Sequence, residues 1–260
     1  MSIDASVNYH VKKPTPQAFE FDVDGIIGNL VSPELVTTDV TVTDLRSVNF
    51  KPNFQRDGIE FIEQASHVTS FDNSGDWTDT YEQELTNILK SRIGAKEVVV
   101  FDHTVRIDDP DAARRPARNV HNDYNKAGAK QRLIDLVGEV RAEIFSEAGY
   151  GFVNVWRPVE NIIKSSPLGF IRPTSMQPDD WMDIDLIYPD RLGQILGVAA
   201  NDRHEWLFKS QMTPDEAVIF NIYDSEGRPH LAHSALDLPG DAHATIPRKS
   251  IESRTLVRYS

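Results

Sequence analysis

The chain has 260 residues, of which 40% are hydrophobic and 26% charged, a globular composition that excludes a disordered or fibrous polymer. Forty acidic residues against 27 basic ones give a formal net charge of -13, so nucleic acid and membrane surfaces, which are also negative, are not expected partners. The chain has no cysteine, which excludes disulfides, thiolate catalysis and cysteine-ligated metal sites and leaves His, Asp and Glu as the strong metal ligands.

Compartment and domain number follow from the same features. The lack of cysteine favours a reducing compartment, and the N-terminal segment MSIDASVNYHVKK lacks the apolar stretch of a secretory signal. No stretch approaches the roughly 20 apolar residues that a transmembrane helix needs. We therefore expect a cytoplasmic protein with a single domain overall.

The chain is expected to begin with an irregular arm over residues 1–75. Prolines interrupt this segment, and short β-branched runs such as residues 36–42 lie between them. We expect the arm to wrap around a core that is formed by residues 76–260.

Two helices are predicted in this core. Apolar residues recur at helical spacing from residue 85 to residue 93, after a polar first turn at 76–79 and before Gly94. A second helix is predicted over about 130–148, ending at Gly149, with an apolar stripe made of Leu133, Val137, Val140 and Ile144.

The rest of the core is predicted to be β-structure. Short strands with turn residues between them favour a sandwich or a double-sheet roll over a βαβ repeat, so the predicted fold class is mainly β with flanking helices. The nine predicted strands are residues 97–106, 152–158, 168–172, 183–188, 193–199, 204–209, 217–223, 230–236 and 250–259.

The tripeptide His121-Asn122-Asp123 is the first sign of chemistry. In an extended strand the residues at i and i+2 point to the same face, so the imidazole and the carboxylate could bind one metal ion. A second histidine would complete the 2-His-1-carboxylate triad of non-haem Fe(II) enzymes. The candidates are His204, His230, His233 and His243. His233 fits best because the Arg248-Lys249-Ser250 run begins 15 residues after it (248 minus 233).

This arginine would have a defined role. A 2-oxo acid can chelate Fe(II) and supply the electrons that dioxygen activation requires, and a guanidinium would then hold its far carboxylate. Arg248 and Ser250 share a strand face, and Arg254 lies on that same face. The sequence therefore leaves Arg248 and Arg254 as alternatives for the carboxylate clamp.

Three further residues are candidates for substrate binding. Tyr124 and Trp156 could line a substrate pocket, although aromatic residues in strands also form ordinary core. Arg157 could bind an anionic group, although most arginines are solvated or paired with a nearby carboxylate.

Six ordered blocks together carry a resemblance to a known family. The blocks are RNVHNDY at 118–124, NVWRP at 154–158, DLIYPDR at 185–191, MTPDEA at 212–217, YDS at 223–225 and RKSIESR at 248–254. They resemble the fungal and bacterial hydroxylase/desaturase family, which groups gibberellin desaturase-like proteins with 7α-cephem-methoxylase-type proteins.

The resemblance implies a double-stranded β-helix, also called a jelly roll, and an oxygenase that depends on Fe(II), 2-oxoglutarate and dioxygen. By position, it implies that His121, Asp123 and His233 are the catalytic iron ligands and that the Arg248 region binds 2-oxoglutarate. It also implies release of succinate and CO2 and oxidation of an unactivated C–H bond in a small secondary metabolite.

The reaction type and two other functions stay open at this point. Hydroxylation, desaturation and oxidative cyclisation depend on substrate placement, which the sequence does not contain. The alternatives are a cupin-like metal enzyme that does not use 2-oxoglutarate and a non-catalytic β-roll that binds a metabolite. Neither substrate identity nor oligomeric state follows from the sequence.

Overall fold

The computed structural model describes residues 2–26, 29–72 and 74–260; Met1, Ile27, Gly28 and Asn73, which belong to the predicted arm, lie outside the described residues. The strands are β1 Ser2–His10, β2 Gln17–Phe21, β3 Leu30–Val31, β4 Leu35–Asp44, β5 Ile59–Glu63, β6 Glu97–Ile107, β7 His121–Asn122, β8 Tyr150–Pro158, β9 Leu168–Ile171, β10 Trp181–Ile187, β11 Leu192–Val198, β12 Trp206–Phe208, β13 Glu216–Asp224, β14 His233–Ala235 and β15 Lys249–Arg258. The α-helices are α1 Phe54–Asp57, α2 Thr78–Ile93, α3 Lys126–Val137 and α4 Glu139–Ala148.

The strands form two sheets that face each other. The larger sheet has the order β1-β4-β12-β9-β14-β7-β11-β10-β2-β3, and the smaller one has the order β5-β13-β8-β15-β6. Trp156 and Phe220 from the smaller sheet share one buried cluster with Phe170 and Leu207 from the larger sheet. This arrangement is the predicted mainly β roll with flanking helices, and the predicted fold class is confirmed.

The predicted strands of residues 97–259 are all present. Each of the nine overlaps a strand of the structure, with ends that differ by up to about three residues, the usual uncertainty of element boundaries. The first predicted helix is also confirmed as α2, which ends at Gly94 in the left-handed conformation with φ 78°. The buried side of α2 packs against the outer face of the smaller sheet.

The prediction of one helix over 130–148 is wrong. Gly138 has φ 77° and separates α3 from α4, because only glycine adopts this conformation without strain. The break changes the buried face, so Val140 is 78% exposed and Ile144 is 53% exposed, whereas Phe145 is buried. The apolar stripe predicted over 130–148 therefore does not continue across Gly138.

Residues 1–75 contain long strands and extend both sheets. Strand β1 pairs with β4, β4 pairs with β12, and β2 pairs with β10 in the larger sheet. Strand β5 pairs with β13 in the smaller sheet. Val7, Tyr9 and Ile59 from this segment are buried. The division of the chain at residue 75 stays a prediction, while the pairing shows that the segment contributes core residues.

Among the residues that the structure describes, no helix has the length and apolar character needed to cross a membrane.

Candidate active site

Two strands of the larger sheet bring three metal-ligating side chains together. His121 on β7 lies directly opposite His233 on β14, and Asp123 follows β7 immediately. One ligand atom from each residue lies within 4.8 Å of the others, and all three residues are buried. The structure therefore groups the three residues that were predicted as metal ligands.

The two histidines are oriented by backbone carbonyls. His121 Nδ1 donates to Asn119 O at 2.8 Å, and His233 Nδ1 donates to Leu231 O at 3.2 Å. These bonds leave both Nε2 atoms free, and His121 Nε2 lies 3.5 Å from Asp123 Oδ1. Burial and the nearby His121 lower the pKa of His233 to about 4, so its ring is neutral, as metal ligation requires.

Arg254 holds the carboxylate of Asp123 in place. Its Nε donates to Asp123 Oδ2 at 3.0 Å, and Asn154 Nδ2 donates to the same oxygen at 2.9 Å. The guanidinium also pairs with Asp102 at 2.7 Å and with Glu252 at 2.8 Å. Although burial raises the pKa of Asp123, the charge of Arg254 keeps it well below its usual range. Asp123 Oδ1 is thus left toward the histidines, and the three side chains fit an iron ion.

Arg248 has different surroundings. It is 3% exposed, its Nε and Nη2 donate to Ser250 Oγ at 3.3 and 3.2 Å, and its Nη1 donates to Ser166 O. The guanidinium lies over the ring of Trp156, 5.1 Å from its centre. Among the described residues, no carboxylate oxygen lies within the 4.0 Å ion-pair distance of this group. Burial and the neighbouring charge of Arg106 lower the pKa of Arg248 to about 9.

Strand register places the predicted substrate residues on different sides of the smaller sheet. Trp156 lies opposite Glu252 and faces the inside of the roll, whereas Arg157 lies opposite Ile251 and faces α2. The Arg157 guanidinium lies over the ring of Tyr81 at 5.5 Å. The structure therefore does not bring Arg157 to the metal-ligating group.

Tyr124 follows Asp123 directly and packs against Phe152, with ring centres 5.0 Å apart. Burial and the charge of Asp123 raise the pKa of Tyr124 to about 12, so the phenol is protonated. The structure thus keeps Tyr124 and Trp156 on the inner side of the roll.

The other candidate histidines make contacts elsewhere. His204 is hydrogen-bonded through Nδ1 to the Tyr9 hydroxyl at 2.9 Å and through Nε2 to Asp180 Oδ2 at 3.2 Å. His230 packs against Trp181, with ring centres 4.9 Å apart. His243 lies in a short 3-10 turn at residues 241–243.

Four residues near the metal-ligating group were missed by the sequence analysis: His10, Arg106, Asn154 and Glu252. Asn154 and Glu252 are inward-facing by strand alternation, a signal that was available once the strands were assigned. The positions of His10 and Arg106 near the site depend on pairing between strands that are distant in the sequence. His10 is buried beside Gly197, and burial together with the charge of His121 lowers its pKa to about 4. No local pattern places these two residues beside the site.

Comparisons with known proteins identify the family of the chain. Residues 8–258 match a family described as an oxidoreductase/YMDC permease-like domain. The hydroxylase/desaturase efuI of Hormonema carpetanum is 30% identical over 251 residues, which cover 85% of this chain and 83% of efuI. The chain belongs to the hydroxylase/desaturase family.

Two further relatives extend the comparison. The alpha-ketoglutarate-dependent dioxygenase tstK of Talaromyces stipitatus is 28% identical over 243 residues, covering 85% of this chain and 84% of tstK. A solved structure of the iron and alpha-ketoglutarate-dependent endoperoxidase NvfI has the same fold, with a TM-score of 0.85 and 21% identity over 99% of this chain and 98% of that chain.

These findings confirm the family, the fold and the enzyme class that were expected from the sequence. The protein is an oxidoreductase of the dioxygenase class that depends on Fe(II) and 2-oxoglutarate and uses dioxygen. The two other functions that the sequence left open, a cupin-like enzyme without 2-oxoglutarate and a non-catalytic β-roll, lose their support.

Proposed function

We propose that this oxygenase oxidises an unactivated C–H bond of a small secondary metabolite, with His121, Asp123 and His233 as the iron ligands. The observation that carries the proposal is that three buried side chains, those of His121, Asp123 and His233, each offer one ligand atom within 4.8 Å of the others. A facial triad of this composition leaves coordination positions for a 2-oxo acid and dioxygen.

Arg248 with Ser250 is proposed as the 2-oxoglutarate clamp, in preference to Arg254. The Arg254 guanidinium already pairs with three carboxylates, including that of Asp123, so it has little capacity for another one. Arg248 is buried, and its partners among the described residues are hydroxyl and carbonyl oxygens, so the carboxylate of 2-oxoglutarate would supply a directly paired counter-charge.

The side chains around the site have supporting roles. Bound iron and 2-oxoglutarate supply dioxygen activation, with release of succinate and CO2. Arg254 and Asn154 fix one oxygen of Asp123 and so orient the other, while Trp156 packs against the Arg248 guanidinium. The backbone carbonyls that hold His121 and His233 fix the ring tautomers with Nε2 available for the metal.

The substrate is proposed to enter beside Tyr124 and Trp156. Hydroxylation, desaturation and oxidative cyclisation are all open to such a site, because the outcome depends on where the substrate radical lies. Arg157 faces α2, so its position gives no support to an anion-binding role beside the metal-ligating group. The net charge of -13 supports a substrate that is not strongly anionic and disfavours nucleic-acid and membrane partners. The lack of cysteine supports a cytoplasmic enzyme.

An anaerobic titration tests the proposal. Purified protein is given Fe(II) and then 2-oxoglutarate, and a charge-transfer band at about 500 nm is expected only when both are present. Alanine variants of each iron ligand should lose the band. Iron binding without the band would contradict 2-oxoglutarate as the co-substrate at this site. The absence of iron binding would contradict the three proposed iron ligands.

A further inference from the structure

A second guanidinium lies beside the proposed clamp. Arg106 on the edge strand β6 is directly opposite Ser250 on β15, and Ser250 Oγ accepts two of the three hydrogen bonds that Arg248 donates. Residues opposite each other in an antiparallel pair share a face, so Arg106 belongs to the inner face of the roll. It is close enough to Arg248 and to Asp123 to interact electrostatically with both.

Neither of these guanidiniums has a carboxylate partner. Arg106 Nη1 donates to the backbone oxygen of Arg115 at 2.9 Å, and no carboxylate oxygen in the described ranges lies within 4.0 Å of Arg106 or Arg248. The carboxylates nearby are already engaged. Glu252 and Asp123 pair with Arg254, and Asp108 bonds to Arg118 and Ser166.

Two like charges held close together in a partly buried space repel each other. The pKa values of Arg106 and Arg248 are both lowered, first by burial, and for Arg248 next by the charge of Arg106. An anion bound between the two groups would turn this repulsion into two favourable contacts.

We propose that Arg106 and Arg248 together bind the distal carboxylate of 2-oxoglutarate. This inference rests on the proposed function and adds a residue to its co-substrate site. Arg248 holds the carboxylate from the buried side through a guanidinium that Ser250 orients. Arg106 approaches from the open edge of the smaller sheet, where it is half-buried.

The test measures binding without turnover. The dissociation constant of 2-oxoglutarate is determined by calorimetry on Mn(II)-loaded protein for wild type and for Arg106→Gln. Loss of a charge-assisted contact predicts binding that is weaker by about tenfold or more. Arg114→Gln is the matched control, because it removes the same charge from an exposed side chain on the following loop. The control should bind 2-oxoglutarate like wild type.

A second probe separates the clamp from the metal. Glutarate has two carboxylates but no keto group, so its stabilisation of metal-free protein in EDTA reports the guanidiniums alone. Wild type should melt at a higher temperature in glutarate, and Arg106→Gln should lose most of this shift. If Arg106 only balanced the charges of Asp123 and Glu252, the variant would alter metal affinity or stability but keep the glutarate shift, and the proposal would be wrong.

The outcomes also separate this inference from the proposed function. If wild type did not bind 2-oxoglutarate, the proposed function would be wrong. If wild type bound it and Arg106→Gln had the same dissociation constant, only the inference about Arg106 would be wrong. Should Arg106→Gln fail to fold, Arg106→Met decides: it removes the charge but keeps an unbranched apolar stem, and an affinity equal to that of wild type would count against the proposal.

Discussion

Removing the charge of Arg248 should stabilise the metal-free protein. A pKa of about 9 in place of 12.5 means that burial and the charge of Arg106 disfavour this guanidinium in the folded chain by about 5 kcal/mol at neutral pH. The hydrogen bonds to Ser250 and Ser166 offset part of this cost. We therefore expect Arg248→Met, which retains an apolar stem, to raise the free energy of unfolding by about 1–3 kcal/mol.

Urea denaturation in EDTA, without 2-oxoglutarate, measures this difference. The pH dependence of the free energy of unfolding is a second test of the same effect. Because the pKa is lower in the folded chain, the unfolded chain binds more protons above pH 9, and wild-type stability gains from this group as the pH rises. The advantage of Arg248→Met should therefore be full at pH 7 and shrink by up to about 1.4 kcal/mol for each pH unit above 9.

The same variant should lose 2-oxoglutarate binding, so stability and function would move in opposite directions. If Arg248→Met proved less stable than wild type by 1 kcal/mol or more, Arg248 would not be a buried cation that lacks a partner. The reason for preferring it to Arg254 as the clamp would then be lost.

Three other results are expected. Arg254→Met should lower the free energy of unfolding of the metal-free protein by about 3–5 kcal/mol, because two buried carboxylates would lose their counter-ion; a loss below 1 kcal/mol would contradict the network. His233→Ala should abolish Fe(II) binding in equilibrium dialysis while keeping the circular dichroism spectrum, and stoichiometric iron in the variant would exclude this ligand. Gly197→Ala should lower the free energy of unfolding by about 1–3 kcal/mol in the same urea assay, because the added Cβ would lie 2.8 Å from the ring of the buried His10. Gly193→Ala is the control: the nearest atom to its Cβ is 3.5 Å away, so its free energy of unfolding should be close to that of wild type.

Local patterns predicted the strands and the shared side of His121 and Asp123. Side-chain alternation in a strand is a property of adjacent residues, so the spacing of His121 and Asp123 was enough to place both on one side. The helix prediction over 130–148 failed for a local reason too, because Gly138 interrupts the apolar period. His233 was favoured among four late histidines because the Arg248-Lys249-Ser250 run follows it, and the resemblance points to the same residue.

The position of Arg157 shows where local reasoning stops. Trp156 and Arg157 are neighbours in β8, so they face opposite sides of the sheet, and both could not line one cavity. Which of them faces inward depends on what covers each side. Helix α2 covers the side of Arg157, and the larger sheet covers the side of Trp156.

By itself, the sequence determined the family, the fold class and the H-x-D face, because these depend on short-range periodicity and on the order of motifs along the chain. Only the tertiary structure distinguished the surroundings of the two arginines. Arg248 and Arg254 share a face by parity, yet Arg254 pairs with Asp123, whereas Arg248 has no carboxylate partner among the described residues. This difference arises from side chains on distant strands. Arg106 and His10 reach the site in the same way, through strand pairings that no local pattern specifies.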